Sequence, residues 1–195
     1  SETAVNTSSF LLKYEQRTVW GNNLSFDVQR VDDSLVKDWD DDYTLILMNP
    51  PFVSWEQLNN KTERQAVRQV LDHNFAGKPN QASAFFYKAI KHLAPGGTLG
   101  SVVPSSLLTS DAYSKLRNEV IESVNIELLG KLGNFVFEDA LTDVSFFIGS
   151  KPTNANSIPT LLWTRNEKGV VCDALRELRK MQYSNEYSKK RIDFS

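Results

Sequence analysis

The sequence predicts an α/β domain with a mainly parallel sheet and an antiparallel hairpin at one edge. Three observations predict it. Short, continuously apolar runs alternate with helical patterns, helix-start and helix-stop residues punctuate them, and the last strand-like runs follow one another without helices between them. The 195 residues suffice for a domain with a substantial core, and 41% hydrophobic with 24% charged residues is the composition of an ordinary globular protein.

The elements follow in order. Ser1 to Ala4 reads as a cap opening a helix with Val5, Phe10, Leu11 and Leu12 on its apolar face. Leu24 to Val31 reads as a strand ending at Asp32-Asp33, and acidic Asp38 to Asp42 as a loop. Thr44 to Met48 is unbroken apolar, the pattern of a buried parallel strand. Thr62-Glu63-Arg64-Gln65 reads as a capping box for a helix to about His73. A second helix spans Gln81 to Leu93 and stops at Ala94-Pro95-Gly96-Gly97. Then come a strand at Thr98 to Val103, a helix from Asp111 to about Glu122 capped by Ser110, and strands at Ile126–Leu129, Val144–Gly149 and Pro159–Trp163. A last helix runs from Val171 to about Met181.

Composition excludes several classes. No stretch approaches the roughly 18 apolar residues of a membrane span, and no signal peptide opens the chain. The lone Cys172 cannot form an internal disulfide, so a cytoplasmic setting is expected. One cysteine and two distant histidines, His73 and His92, give no zinc-ligand pattern, and no metal is expected. The net charge of −2 does not advertise a nucleic-acid partner. From Lys151 onward, however, nine Lys/Arg stand against five Asp/Glu, as against 13 and 19 before it; that basic segment suits either phosphate or a solvated helix face.

The chemistry concentrates in Asn49-Pro50-Pro51-Phe52, directly after an apolar strand, and ligands of α/β sheets bind beyond the carboxyl ends of strands. Two prolines fix φ twice and remove two donors. What remains is a stiff turn offering two acceptors, the Asn49 side-chain oxygen and the Pro50 carbonyl, with an aromatic ring at Phe52. An exocyclic amine conjugated to a purine is a poor nucleophile because its lone pair is delocalised. Two acceptors on its hydrogens favour a pyramidal nitrogen that can attack a sulfonium methyl, and such preorganised dipoles act where charge develops. A base within a duplex must flip out to reach such a pocket and stack on something flat. The bland alternative is a plain turn between strand and helix.

These residues, with Ala84-Phe85-Phe86-Tyr87-Lys88-Ala89-Ile90, Pro95-Gly96-Gly97, Val102 to Leu108, Lys115-Leu116-Arg117 and Phe135-Val136-Phe137 in that order, resemble the γ-class DNA adenine-N6 methyltransferases of type I and type IIG restriction-modification systems. The resemblance runs from about Ser1 to Lys151. It implies a Rossmann-like SAM-dependent methyltransferase fold, with S-adenosyl-L-methionine as cofactor and double-stranded DNA as partner. Asn49 and Pro50 would hold the target amine, and Phe52 would stack on the adenine. Phe137 would cover the other face, or be a core aromatic. Asp33 would read the cofactor's adenine amine, with Asp32 competing for that role, or would simply cap a turn. Phe85 would line the cofactor's adenine pocket, or pack in the core.

The glycine-rich loop and the ribose-gripping acid of the resembled family have no counterpart, so the N-terminal strands and half of the cofactor site are expected upstream. Residues 1–165 are expected to form the C-terminal part of a catalytic domain, and 166–195 a helical lead toward a target-recognition domain or specificity subunit. The fragment alone is expected to be inactive. Trp39, Trp55 and Trp163 read as packing residues, and Lys78 as a solvated loop lysine or a phosphate contact. Two other readings remain: a methyltransferase for RNA guanine-N2 or protein glutamine, and a catalytically dead DNA-docking module.

Overall fold

The computed structural model describes residues 2–20, 27–75, 77–134, 136, 142–153, 160–163, 167, 169–173 and 176. The chain divides into two compact units, Ser1–Asp38 and Trp39–Ser195. In the first, helix α1 (Glu2–Glu15) continues into a π-helical turn over Gln16–Trp20. The strand expected over Leu24 to Val31 does not form across 27–31, the part described. A strand exists through its ladder, and no described strand pairs with this segment.

The second unit is built on a five-stranded sheet of β1 (Tyr43–Met48), β2 (Leu93–Pro104), β3 (Asn125–Gly133), β4 (Val144–Ser150) and β5 (Thr160–Trp163). Its order is β1-β2-β4-β3-β5. β1 lies parallel to β2 and β5 parallel to β3, while β4 is antiparallel to both its neighbours. The described sheet is therefore mixed rather than mainly parallel. The ten residues between Gly133 and Val144 are fewer than the dozen or so a parallel crossover needs, so β3 and β4 form the expected hairpin. That hairpin is not itself the edge, because β5 adds outside it.

Helices α2 (Lys61–Leu71) and α3 (Gln81–Lys91) connect β1 to β2. The start signal of α2 lies two residues before the expected Thr62. Asn60 Oδ1 accepts the Glu63 N–H at 2.8 Å, and the Glu63 carboxylate in turn accepts the Asn59 N–H at 2.9 Å. Helix α3 is capped by Asn80, whose side chain accepts the Ser83 N–H at 2.8 Å. Every residue of α3 from Ala82 to Ile90 is buried, and Phe86 meets Phe147 of β4 edge-on with ring centroids 4.9 Å apart. Two short turns, α4 (Ser106–Thr109) and Asp111–Tyr113, lead into α5 (Ser114–Ser123), which buries Leu116 and Val120. Among the described residues no helix is long and apolar enough to cross a membrane.

Two details of β1 and β2 differ from the sequence reading. β2 begins at Leu93 rather than Thr98, because the Pro95-Gly96-Gly97 turn is absorbed as an irregularity between Tyr43 and Leu45. Gly96 adopts φ +77°, and a Cβ on Gly97 would stand 2.5 Å from the Tyr43 carbonyl oxygen, so only glycine permits this approach. β1 itself is not the buried strand its composition suggests: Leu45 is 57% and Leu47 74% exposed. Among the described strands it pairs on one side only, and the sheet face that carries Leu45 and Leu47 is left open.

A polar bridge ties α3 to α5: Tyr87 Oη and Lys91 Nζ donate to Glu119 Oε1 at 3.0 and 2.6 Å. The Lys91 hydrogen bond, then that of Tyr87, holds the Glu119 carboxyl below its ordinary range. A depressed folded-state value contributes stability above the unfolded value and loses it as pH falls. Glu119→Gln should therefore lower Tm slightly at neutral pH, the pair being solvent-screened. The gap from the parent should close as pH drops through the carboxylate range. A Tm gap of constant size down to about pH 3 would contradict this role.

Candidate active site at the carboxyl end of the first strand

The β1–β2 ladder runs to Met48 opposite Ser101. It cannot continue along β1, because Pro50 and Pro51 carry no N–H. Asn49 is thereby left exposed at the strand tip, while Pro50 is buried beneath it. Among the described residues no hydrogen bond engages the Asn49 carboxamide or the Pro50 carbonyl. Both acceptors that the sequence singled out are thus without a partner among the described residues.

The turn is pinned on its far side as well. The Val53 carbonyl accepts the Gln81 N–H at 2.9 Å, which fastens the chain to the first turn of α3. Ser54 N–H donates to Gln57 Oε1 at 3.0 Å around a short helical turn, Trp55–Gln57, and Leu58 anchors that turn at 2% exposure. Asn49 lines a hollow of about 470 Å³ with Met48, Ser101, Val102 and Phe147. Phe52, half-buried, lines a different hollow of about 500 Å³ with Val53, Gln57, Leu58, Asn59 and Gln81. The structure thus brings Asn49, Pro50 and Phe52 onto one pinned turn without closing them around a single enclosed cavity.

A second fixture at the same end of the sheet escaped the sequence reading. Ser105, just past β2, donates from Oγ to Asp143 Oδ1 at 2.8 Å, and its Oγ lies 2.7 Å from that of Ser145. Its N–H also reaches the Asp143 carbonyl at 2.9 Å, and Lys131 Nζ stands 3.6 Å from Asp143 Oδ2. Ser105 and Ser145 are essentially fully buried. The cluster clamps the point where the chain re-enters the sheet as β4. Serines beside a strand end carry no signal of partnership in sequence, because the contact spans 38 residues.

The other predicted residues are placed as follows. Asp33 is half-buried, and its Oδ1 accepts the Leu35 N–H at 2.9 Å, the turn-capping contact. Phe85 is buried at 9% exposure within α3. Phe137 lies outside the described residues. Trp55, read as packing, instead carries two guanidinium groups on its ring, with Arg68 at 4.6 Å and Arg64 at 5.7 Å from its centroid. Lys78 is paired with Glu56 at 3.2 Å rather than simply solvated.

A sheet with an antiparallel strand slotted between β2 and β3, and a proline-stiffened acceptor turn at a strand tip, defines a Rossmann-like fold of the class I S-adenosylmethionine-dependent methyltransferases. A Listeria monocytogenes protein assigned to that class superposes with a TM-score of 0.55 at 15% identity, over 76% of this chain and 45% of its own. The chain belongs to the Eco57I restriction-modification methylase family, whose model matches residues 4–137. Among curated proteins it is similar to the type II methyltransferase M.AccI of Acinetobacter calcoaceticus, 27% identical over 118 residues, 60% of this chain. The chain spans 22% of that relative's length. The type I restriction-modification methyltransferase subunit of Streptococcus thermophilus has a TM-score of 0.53 at 20% identity, over 83% of this chain and 36% of its own. The type ISP enzyme LlaGI, solved with a DNA substrate mimic, gives 0.54 at 15% identity, over 69% and 16%.

Removing the Ser105 hydroxyl would leave Asp143 and Ser145 without their shared partner. Ser105→Ala should cost about 1–3 kcal/mol in chemical denaturation, the penalty for stranding the buried Ser145 hydroxyl. A cost near zero would mean that the cluster holds nothing in place.

Proposed function

We propose that the full-length protein transfers the methyl group of S-adenosylmethionine to the exocyclic N6 amine of an adenine flipped out of duplex DNA, within a restriction-modification or defence system. The observation that carries this reading is the pair of unengaged acceptors, Asn49 Oδ1 and the Pro50 carbonyl, on a rigid turn at the strand tip. The amine's two hydrogens meet these oxygens. Its nitrogen pyramidalises, the lone pair is freed for attack, and the proton leaves only after the methyl has arrived. No strong base is required. Phe52 stacks on one face of the base, and Phe137 covers the other.

When bound, the cofactor supplies an electrophilic methyl on a sulfonium. Of the residues expected at its adenine end, Asp33 in the first unit has one carboxylate oxygen without a partner among the described residues, fit to accept an amine hydrogen, and Phe85 in the second unit is an aromatic ring buried within α3. The remaining half of the cofactor site, with its glycine loop, is assigned to residues outside this chain; the edge of β1 that no described strand pairs, with Leu45 and Leu47 exposed, can take a further strand. Sequence choice is assigned to a separate target-recognition domain or specificity subunit.

Full-length protein supplied with methyl-labelled cofactor should label duplex DNA, and Asn49→Ala should reduce transfer by at least the 10²–10³ typical of losing one preorganised polar group. Because Asn49 is exposed and makes no hydrogen bond among the described residues, the variant should keep the parent Tm. Label entering RNA or protein but not DNA would replace this reading with one of those substrates. Full transfer by Asn49→Ala would remove the residue from the chemistry.

A further inference from the structure

The donor-rich face of α2, which begins nine residues after Phe52, is used by nothing described so far. Over two helical turns its long side chains are Lys61, Arg64, Gln65, Arg68 and Gln69, all hydrogen-bond donors. All but Arg64, which is half-buried, are exposed. The acids nearby are already committed. Glu63 is taken by the Asn59 N–H and the Asn60 side chain, Glu56 by Lys78 at 3.2 Å, and Asp72 by His73 at 3.0 Å. Among the described residues neither Arg64 nor Arg68 has a carboxylate within ion-pair distance; Arg64 Nε is itself buried, so the donors open to a partner are its terminal N–H groups and the exposed Arg68.

What holds the two guanidiniums is the Trp55 ring. A guanidinium held over a ring by cation–π attraction still has N–H groups to offer an outside acceptor. Trp55, Lys61, Arg64, Gln65, Arg68 and Gln69 border one open hollow of about 470 Å³, whose remaining lining residue is Asp72. Lys61, Gln65 and Gln69 lie on one row, eight residues or about 12 Å long at 1.5 Å per residue. One strand of duplex DNA passes about three phosphates in that distance. The first turn of α2 also borders the hollow that Phe52 lines, through Glu63. An enzyme that extrudes a base must grip the backbone flanking it, and that grip falls to Arg, Lys and Gln donors.

We propose that this face of α2, with Trp55 presetting Arg64 and Arg68, is a contact surface for the phosphate backbone of duplex DNA beside the target base. The inference rests on the DNA reading given above. Its specific claim is that a strip of this helix, and not only a separate recognition domain, holds the duplex by charge.

The test uses the full-length protein, a random-sequence 30-base-pair duplex and fluorescence anisotropy over a salt series. Each phosphate contact contributes about 0.9 to the slope of log affinity against log salt. The double variant R64Q/R68Q should lower that slope by about 2, and Lys61→Gln, away from the Trp55 stack, by about 1. Cofactor affinity by calorimetry should stay at the parent value in both. Parent slopes in both folded variants, with the unaltered protein binding and methylating duplex DNA, would overturn the surface and leave the functional reading standing. An unaltered protein that neither binds nor methylates duplex DNA but modifies RNA or protein would overturn both. An equal loss of cofactor affinity would reassign the strip to holding the fold of the site.

Discussion

The structure turns on a missing hydrogen-bond donor. The parallel ladder of β1 on β2 supplies the order of this sheet end, and it must stop where Pro50 and Pro51 offer no N–H. A chain free to keep pairing would carry Asn49 into the sheet and spend its polar groups there. The proline pair instead ejects the backbone at the strand tip, fixes its direction and leaves two oxygens without a hydrogen bond among the described residues. Burial of Pro50 and the Val53–Gln81 bond make the ejected turn stiff rather than loose. Stiffness matters because acceptors that had to reorganise around a developing charge would forfeit most of their worth.

Behind that turn the rest of the unit acts as a foundation. α3, buried along nine consecutive residues, seats the turn through its first residue, Gln81, and packs Phe86 against β4. β4 in turn occupies the middle of the sheet and is fastened at its entry by Ser105, Asp143 and Ser145. Among the described strands β1 and β5 form the two edges, and both carry leucines in solvent, Leu45 and Leu47 on β1 and Leu161 on β5. An apolar edge strand of this type is a surface that proteins ordinarily cover.

Much of this was legible in the sequence. The start of α3 at Gln81 was read correctly, although the helix ends at Lys91 rather than Leu93, and the apolar run before Asn49 located β1, since these signals are local to the chain. The chemistry was legible for the same reason: a proline pair acts on its own backbone. Partnership was not. Continuous hydrophobicity in Thr44 to Met48 could not say that no described strand would pair with one flank, and the strand-like run Leu24 to Val31 could not supply a ladder for residues 27–31. Asn60 prevailed over Thr62 as the cap of α2 because Glu63 could bond both its own capping residue and Asn59, a choice settled by geometry. Trp55 looked like packing because aromatic rings carry the same sequence signal whether they meet leucines or guanidiniums.

The central claim is that paired oxygens at a strand tip turn a delocalised amine into a nucleophile, and the atom that receives the methyl tests it most directly. DNA treated with full-length protein and isotopically labelled cofactor, digested to nucleosides and resolved by mass spectrometry, should carry the label on the N6 nitrogen of adenine. Label on a ring carbon, as in a C5-methylated cytosine, would contradict the account, because carbon attack has no use for two acceptors and requires a covalent nucleophile that the turn does not contain.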